Sequence, residues 1–472
     1  MSYSKRIPVL KASLALALLG VALPAGAAKA PLALHPDNPH YFLFRGKPAV
    51  LVTSGEHYGV VLNLDFDNRK YLDTLAKDGL NNTRTFSGAY CEAPGDFNIA
   101  SNTLAPLPGR FICPWARSTT TGYANGGNKF DLNQWDEKYF ARLKDFVRYA
   151  GRRGVVVEMN LFCPFYRDSM WQLSPMNVAN NVNGVGAIAH TNVYALADPG
   201  GLWPVQEAMV RKIVTELKDF DNLYYEICNE PYFGVPIERQ GRIADVIAAT
   251  ERELGVRHLI SQNIANGRAK VENPHPAVSI FNFHYATPPD TVELNHGLNK
   301  VIGDNETGFK GTNDTHYRME AWQFILAGGG LYNNLDYSFV AGREDGTFVY
   351  PAKQPGGGNP VFRRQMRTLT RFIHSFDFIR MKPDRSVVKG GLTGQANLYA
   401  LVETGKQYAV YLFGGSQANL ELELPAGNYQ AEWLDPVTGK VGPKTRLKHP
   451  GGTALLKSPS YAPDVVLRIV RR

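Results

Sequence analysis

Between about residues 48 and 380 the chain alternates short apolar runs with longer stretches whose apolar residues recur at helical spacing. The short runs fall at residues 49–53, 82–86, 154–161, 223–228, 259–262, 278–283, 300–303 and 330–335. Most are continuous rather than alternating, the pattern of parallel strands covered on both faces. The helical stretches fall at 68–77, 136–152, 205–219, 241–254, 316–326 and 362–378. Eight strand–helix units in this span predict an α/β fold, a (β/α)8 TIM barrel with inserted loops. A doubly wound open sheet is the alternative. No G-x-G-x-x-G or Walker-type loop follows the first run, which disfavours a nucleotide-binding version.

The pattern changes near residues 381–385. Short β-type runs then follow at 386–392, 398–403, 407–413, 418–424, 429–435, 454–457 and 464–469, separated by turns such as Thr404-Gly405-Lys406 and Pro425-Ala426-Gly427-Asn428. With no helical period, they predict a small antiparallel β-sandwich domain at 383–472, behind a barrel domain at 31–382.

The first thirty residues read as an export signal. Lys5, Arg6 and Lys11 precede an apolar run from Ala12 to Leu23; Pro24 ends it, and Ala25, Gly26, Ala27 and Ala28 follow. The run is short for a membrane span, so a cleaved peptide and a periplasmic or extracellular protein are expected. No later run is long enough to cross a bilayer. Removing the segment changes the charge picture. The full chain carries Lys+Arg 51 against Asp+Glu 43, a formal +8. The mature chain keeps +4, or +5 if Lys29 stays. Nothing in that remainder calls for a nucleic-acid partner, and no basic motif is present. At 44% hydrophobic and 20% charged, the chain can bury a large core. Gly 45 and Pro 30 exceed the usual share and point to long loops. The four cysteines, Cys91, Cys113, Cys163 and Cys228, have no zinc-ligand spacing. Cys91 and Cys113 share one long loop and are spaced to allow a bridge, but three pairings are open.

The chemistry gathers at two strand ends. Leu223-Tyr-Tyr-Glu-Ile-Cys-Asn-Glu-Pro231 is an apolar run closed by proline, which cannot extend a ladder. Asn229 and Glu230 are thereby left at the mouth, where barrels place catalytic groups. A second run, Val301-Ile-Gly-Asp-Asn-Glu306, ends before a Gly turn. Carboxylic acids at two strand mouths are what glycoside hydrolysis needs: one protonated to expel the sugar oxygen, one ionised to attack the anomeric carbon.

These segments, "YYEICNEPYFG" and "KVIGDNETGF", resemble the fourth- and seventh-strand signatures of glycoside hydrolase clan A, especially its cellulase-like members. The resemblance spans roughly residues 33–380. It takes in "HPDNPHYFLFRGKPAVLVTSGEHYG", like those enzymes' first strand, and "KDGLNNTRTF", like their second with its arginine. It implies a secreted retaining glycosidase acting on an oligo- or polysaccharide, with Glu230 as general acid/base and Glu306 as nucleophile. Asn229 would bond the sugar 2-hydroxyl, Arg84 would hold the nucleophile ionised, and His284 and Tyr285 would flank both carboxylates. Glu306 charge would then help raise the Glu230 pKa. No metal or cofactor is implied. The sequence departs from the family at the eighth strand. Many relatives place a sugar-stacking Trp there, and this chain has "GGGLYNNLDYSF", with Tyr332, Asn333, Asn334 and Asp336.

Other residues have two readings each. Glu56 and His57 end the first run, and Asn160 ends the third; each is a substrate contact or a structural pairing. Tyr332 is a candidate contact in the eighth. Glu226 is a buried structural acid or a functional one, and Asp304 competes with Glu306. His190 and His316 read as loop or helix-surface residues. Of Trp115, Trp171 and Trp203, at least one is expected to meet the sugar. The two loops after the second and third strands exceed the usual loop length; they are expected to close one end of the site and make it exo-acting or oligosaccharide-directed. The polar run 177–183 reads as mobile. A competing function is a non-catalytic carbohydrate-binding or adhesion protein, prompted by the C-terminal β domain. The missing G-x-S-x-G disfavours a serine-type hydrolase. Oligomeric state is open. When expressed with its leader in an exporting host, the purified protein should begin after Ala27, Ala28 or Ala30. N-terminal sequencing that finds Lys5 and Arg6 retained would refute cleavage.

Overall fold

The computed structural model of the chain describes Met1 and residues 30–472; the predicted export signal otherwise lies outside the described residues. Eight parallel strands form the central sheet: β1 (Leu51–Gly55), β2 (Asn82–Phe86), β3 (Val156–Phe162), β4 (Leu223–Cys228), β5 (Leu259–Asn266), β6 (Ile280–His284), β7 (Val301–Thr307) and β8 (Leu331–Leu335). They pair in the order β1–β8–β7–β6–β5–β4–β3–β2. The ring closes between β1 and β2 through a side chain. Val52 N–H donates to Asn81 Oδ1 (2.8 Å) and Asn81 Nδ2 donates to Val50 O (2.9 Å), beside a longer backbone bond from Asn81 N–H to Val52 O (3.4 Å).

The outer helices are α1 (Asn68–Lys77), α2 (Glu137–Arg153), α3 (Trp203–Leu217), α4 (Ile237–Leu254), α5 (Asp290–Asn295), α6 (Asp314–Leu326) and α7 (Pro360–Ile373). Their starts are set by side chains that satisfy free N–H groups: Asp67, Asp136 and Asn359 each accept from two backbone amides of the first turn. Helix α2 buries Tyr139, Phe140, Leu143, Phe146, Val147 and Ala150, one face at helical spacing, and stops at Gly154 with φ 75°. The β5–β6 connection carries no helix. It contains Pro274 and Pro276, which lack the N–H a helix interior requires. The barrel is thus one helix short of a regular repeat.

The barrel interior is layered. At the bottom, Leu51, Val156, Tyr224, Leu259, Ile280, Val301 and Leu331 form an apolar plug, closed from below by Leu32 and Phe42 of an N-terminal segment. Above it lies a polar layer with Arg84, Glu158, Glu226, Asn282 and Asn305, all buried. This explains why β5 and β7 outrun their apolar sequence runs: the extra residues of β7, Asp304 to Thr307, are polar yet fully inside the ladder.

The C-terminal region is two antiparallel sheets. Its strands are β9 (Asn397–Glu403), β10 (Gln407–Phe413), β11 (Asn419–Leu424), β12 (Gly427–Leu434), β13 (Thr445–His449), β14 (Gly452–Lys457) and β15 (Asp464–Arg471). β9, β10, β15, β12 and β13 follow in that order in one sheet, edged by Lys382–Pro383; β11 pairs with β14 and with Val388–Gly390 in the other. Strand β11 shows the period of two directly: Leu420, Leu422 and Leu424 are buried between the sheets, and Glu421 and Glu423 are exposed. Strand β13, charged and mostly exposed, is an edge that no apolar pattern announces.

The outer face of the larger sheet joins the barrel core through Leu401, Ala409, Tyr411 and Val466. Trp322 of α6 stacks on Tyr411 at 5.5 Å. Arg318 of α6 makes two bonds to Asp464 (2.9 and 2.8 Å), and Tyr411 Oη donates to the same carboxylate (2.8 Å). Asp464→Ala leaves Arg318 buried without its counter-charge. A loss of about 3 kcal/mol is expected, read as a lower thermal midpoint; an unchanged midpoint would show that this contact does not secure the junction.

Candidate active site

The site is built around Arg84, which β2 projects into the barrel at 1% exposure. Its Nε lies 2.9 Å from Glu158 Oε1, its Nη2 contacts Glu226 Oε1 and donates to Asn229 Oδ1 (2.9 Å), and its Nη1 donates to Glu306 Oε2 (3.2 Å). The guanidinium also lies 4.6 Å over the Tyr58 ring. Beneath it, Asn305 Nδ2 donates to both Glu158 and Glu226, Asn282 Nδ2 to Glu226, and Tyr224 Oη to Glu158. Burial and the neighbouring Glu226 charge drive the Glu158 pKa well up, against the pull of Arg84. Glu226 moves the other way: burial opposes ionisation, but Arg84 and the Glu158 hydrogen bond outweigh it. Arg84 thus favours the charged form of Glu226, while burial favours the neutral form of Glu158.

Glu230 follows β4, and Glu306 lies in the last turns of β7. One oxygen of each and a ring nitrogen of His284 lie within 4.8 Å of one another. Glu306 receives Tyr285 Oη (2.7 Å) and Tyr58 Oη (3.2 Å) besides Arg84. Glu230 receives Tyr166 Oη (2.5 Å) and Tyr232 Oη (3.1 Å), with His284 Nδ1 at 3.2 Å. His284 Nδ1 is also 3.7 Å from Glu306. This trio is the metal-spaced cluster among the described residues, yet three donors already occupy each carboxylate, as suits an acid–base pair. The Glu230 pKa departs from expectation. Burial raises it, but the His284 hydrogen bond and charge, with the two tyrosine hydroxyls, outweigh burial and bring it below the ordinary value. The expected influence of Glu306 is exceeded by these donors.

Four residues around the pair, Tyr58, Glu230, Tyr285 and Phe309, have φ of 64°, 38°, 53° and 63°. None is glycine. Such backbone costs on the order of 1–3 kcal/mol per residue and persists where surrounding contacts fix it, commonly at functional sites. All four line one cavity of about 540 Å3 at the C-terminal mouth, to which residues from all eight strand ends contribute. Phe233 and Phe309 stand half-exposed at its rim.

The structure brings together Glu230, Glu306, Asn229, Arg84, His284, Tyr285 and His57. It leaves three predicted contacts outside the cavity. Glu56 turns back on its own loop and accepts from Gly59 and Val60 N–H (both 3.1 Å). Asn160 is buried in the barrel, and Tyr332 Oη bonds Thr307 (3.0 Å) and Tyr317 O (3.0 Å) behind β7. Asp304 is also outside, fully buried with Ala286 N–H donating to it (3.3 Å); burial first, then Glu320 charge, drives its pKa up. The three tryptophans are loop anchors instead: Trp115 is fully buried, Trp171 Nε1 donates to Ile188 O, and Trp203 packs under Arg239. His190 pairs with Asp168, but His316 lines the cavity beside Glu320. The polar run 177–183 is knitted together, with Asn180 and Asn181 amides donating to five backbone carbonyls. All four cysteines are buried free thiols. Tyr58, Tyr166, Tyr232 and Glu92 were not singled out from sequence. The first three follow the functional strand ends within a few residues, which was the available signal.

Burial lifts the Glu56 carboxyl from 4.5 to about 7, opposed by hydrogen bonds from Thr103, Gly59 and Val60. The folded state thus holds this proton more tightly than the unfolded chain. Its stabilising contribution is complete below pH 4.5 and is lost as pH rises through 7. Glu56→Gln should flatten that slope, changing the stability difference from wild type by on the order of 3 kcal/mol across the window. Parallel pH–stability curves from denaturant titration would contradict this.

No family model and no curated protein matches the sequence. Solved structures do match. A structure described as a glycoside hydrolase shares 17% identity, with 94% of this chain and 97% of that chain covered, at a TM-score of 0.62. A putative glycoside hydrolase from Bacteroides vulgatus ATCC 8482 gives 12%, 94% and 83%, at 0.67. A glycoside hydrolase family 5 structure from the same strain gives 16%, 94% and 94%, at 0.63. The chain is therefore similar, over nearly its whole length and including the C-terminal sheets, to the fold of glycoside hydrolases.

Proposed function

We propose that the protein is an exported retaining glycoside hydrolase, with Glu306 as nucleophile and Glu230 as general acid/base. The observation that carries this reading is the pair of carboxylates within 4.8 Å, one against Arg84 and the other against His284. Retaining glycosidases hold their two carboxyl groups about 5–5.5 Å apart, too close for a water to attack from the opposite face. The fold shared with glycoside hydrolases supports it. A carbohydrate-binding protein has no need of two opposed acids, one of them, Glu230, on left-handed backbone.

In this reading Glu306, bonded by Arg84 and oriented by Tyr285 and Tyr58, attacks the anomeric carbon. Glu230 delivers a proton to the departing oxygen. The His284 and tyrosine hydrogen bonds lower the Glu230 pKa; a sugar that displaces water from the carboxyl opposes them and favours its protonated form. Once the glycosyl–Glu306 ester forms, its charge is gone. Glu230 then takes a proton from water, which attacks the same carbon from the vacated face and restores both acids. Asn229, bonded to Arg84 and Tyr166, is placed to meet the 2-hydroxyl of the reacting sugar.

Hydrolysis of a panel of aryl glycosides and β-linked oligosaccharides tests the reading. Glu306→Ala should abolish turnover on every active substrate. Glu230→Ala should lose about 10^2–10^4-fold on sugars with poor leaving groups and much less on dinitrophenyl glycosides, which leave without a proton. Full activity in Glu306→Ala, or an inverted product by NMR, would sink it.

A further inference from the structure

One wall of the cavity has an arrangement that the two-carboxylate mechanism does not use. Glu92, 4% exposed, receives Tyr90 Oη (3.0 Å) and Asn102 Nδ2 (2.5 Å), which leaves acceptor positions free on both oxygens. His57 Nε2 lies 3.5 Å from Glu92 Oε2. Both His57 ring nitrogens are buried without a hydrogen-bond partner, and the ring is stacked between Tyr58 and Tyr337. Nε2 has only this loose Glu92 contact and Nδ1 has no hydrogen-bond partner, and buried polar groups so placed are costly.

The wall is rigid and closed. Glu92 N–H donates to Leu104 O (2.8 Å), and Thr103 Oγ1 donates to His57 O (3.0 Å). Gly59 lies so close under this segment that a Cβ there would meet Thr103 O at 2.2 Å. Further along, Asn98 Nδ2 donates to Lys353 O (2.8 Å) and Ala100 N–H to Gln354 Oε1 (2.9 Å). The loops after β2 and β8 therefore join over β1, which lies between those strands in the barrel, and shut that side of the mouth. The opposite side, around Glu230, ends in half-exposed Phe233.

The leaving group departs on the side of the general acid. The sugar being transferred then faces the shut side. Resting on the glycosidase reading, we propose that the His57–Glu92 wall is a blind subsite for the non-reducing terminal sugar, its carboxylate and imidazole bonding the hydroxyls of that end, so that the enzyme trims chains from their tips. A site built to bond a hydroxyl rejects a ligand that lacks it far more strongly than an apolar pocket does, because its buried groups are left unpaired.

Calorimetry on the catalytically silenced full chain, Glu230→Gln, tests this with β-linked gluco- and manno-oligosaccharides whose terminal non-reducing hydroxyl is free or methylated. Free-ended chains should bind, and methylated ones at least tenfold more weakly. Glu92→Gln in that background should weaken the free-ended chain about 10–100-fold and leave the methylated chain unchanged, a difference a merely structural role would not produce. His57→Ala serves the same comparison if Glu92→Gln unfolds. The active protein should release short products from one end of borohydride-reduced chains. Equal binding of both ligands, or random internal cleavage abolished by Glu306→Ala, would overturn the blind subsite and leave the glycosidase reading intact. Terminal-dependent binding with no turnover would do the reverse. If no sugar of the panel is bound or cleaved, both fall.

Discussion

A guanidinium buried at the centre of a barrel must be neutralised on every side, and the site depends on how Arg84 meets that demand. A buried cation with too few counter-charges costs several kcal/mol. Here Glu158, Glu226 and Glu306 surround it, with Asn229 as a neutral acceptor and Tyr58 as an aromatic face. Three acids overcompensate one guanidinium, and burial with the neighbouring Glu226 charge favours the neutral form of Glu158. Glu306 is bonded by this guanidinium, so its orientation rests on the same buried group that joins Glu158 and Glu226.

That arrangement explains the unusual interior. Barrels of this class are commonly filled by layers of branched apolar side chains. In this chain only the bottom layer follows that rule. The layer above is a hydrogen-bonded polar cluster in which Asn282, Asn305 and Tyr224 each give a donor to a buried acid. Networks of this kind hold their geometry through shared donors and acceptors. Above this layer, the left-handed residues Tyr58 and Tyr285 are tied by their hydroxyls to Glu306.

The loops complete the cavity by similar means. Each long loop is tied by side-chain amides to backbone carbonyls, as at Asn180 and Asn181, or by crossing contacts such as Asn98 to Lys353. The tryptophans belong to this tying, and none of the three lines the cavity. The C-terminal sheets act on the far side, where Asp464 and Tyr411 lock onto α6, the helix that directly follows the strand bearing Glu306.

Much of this was legible in the sequence. Short β-type runs marked all eight strands, many of them continuous and apolar as parallel strands buried on both faces favour; β2, Asn82–Phe86, is the polar exception. Pro231 and the Gly after Thr307 marked where two strands yield to chemistry, and so exposed Asn229, Glu230 and Glu306. The alternation in β11 announced a half-buried sheet. Sequence did not show which polar residue at a strand end faces the cavity and which faces its own loop, since Glu56 and His57 are adjacent and diverge. It did not show Tyr58, Tyr166 and Glu92 converging from three strand ends, nor the shut side of the mouth. Periodicity is a local property, set by whether a face is buried. Which groups meet is decided by closure of the ring, which brings residues more than two hundred positions apart into hydrogen-bond range, as Arg84 and Glu306 are.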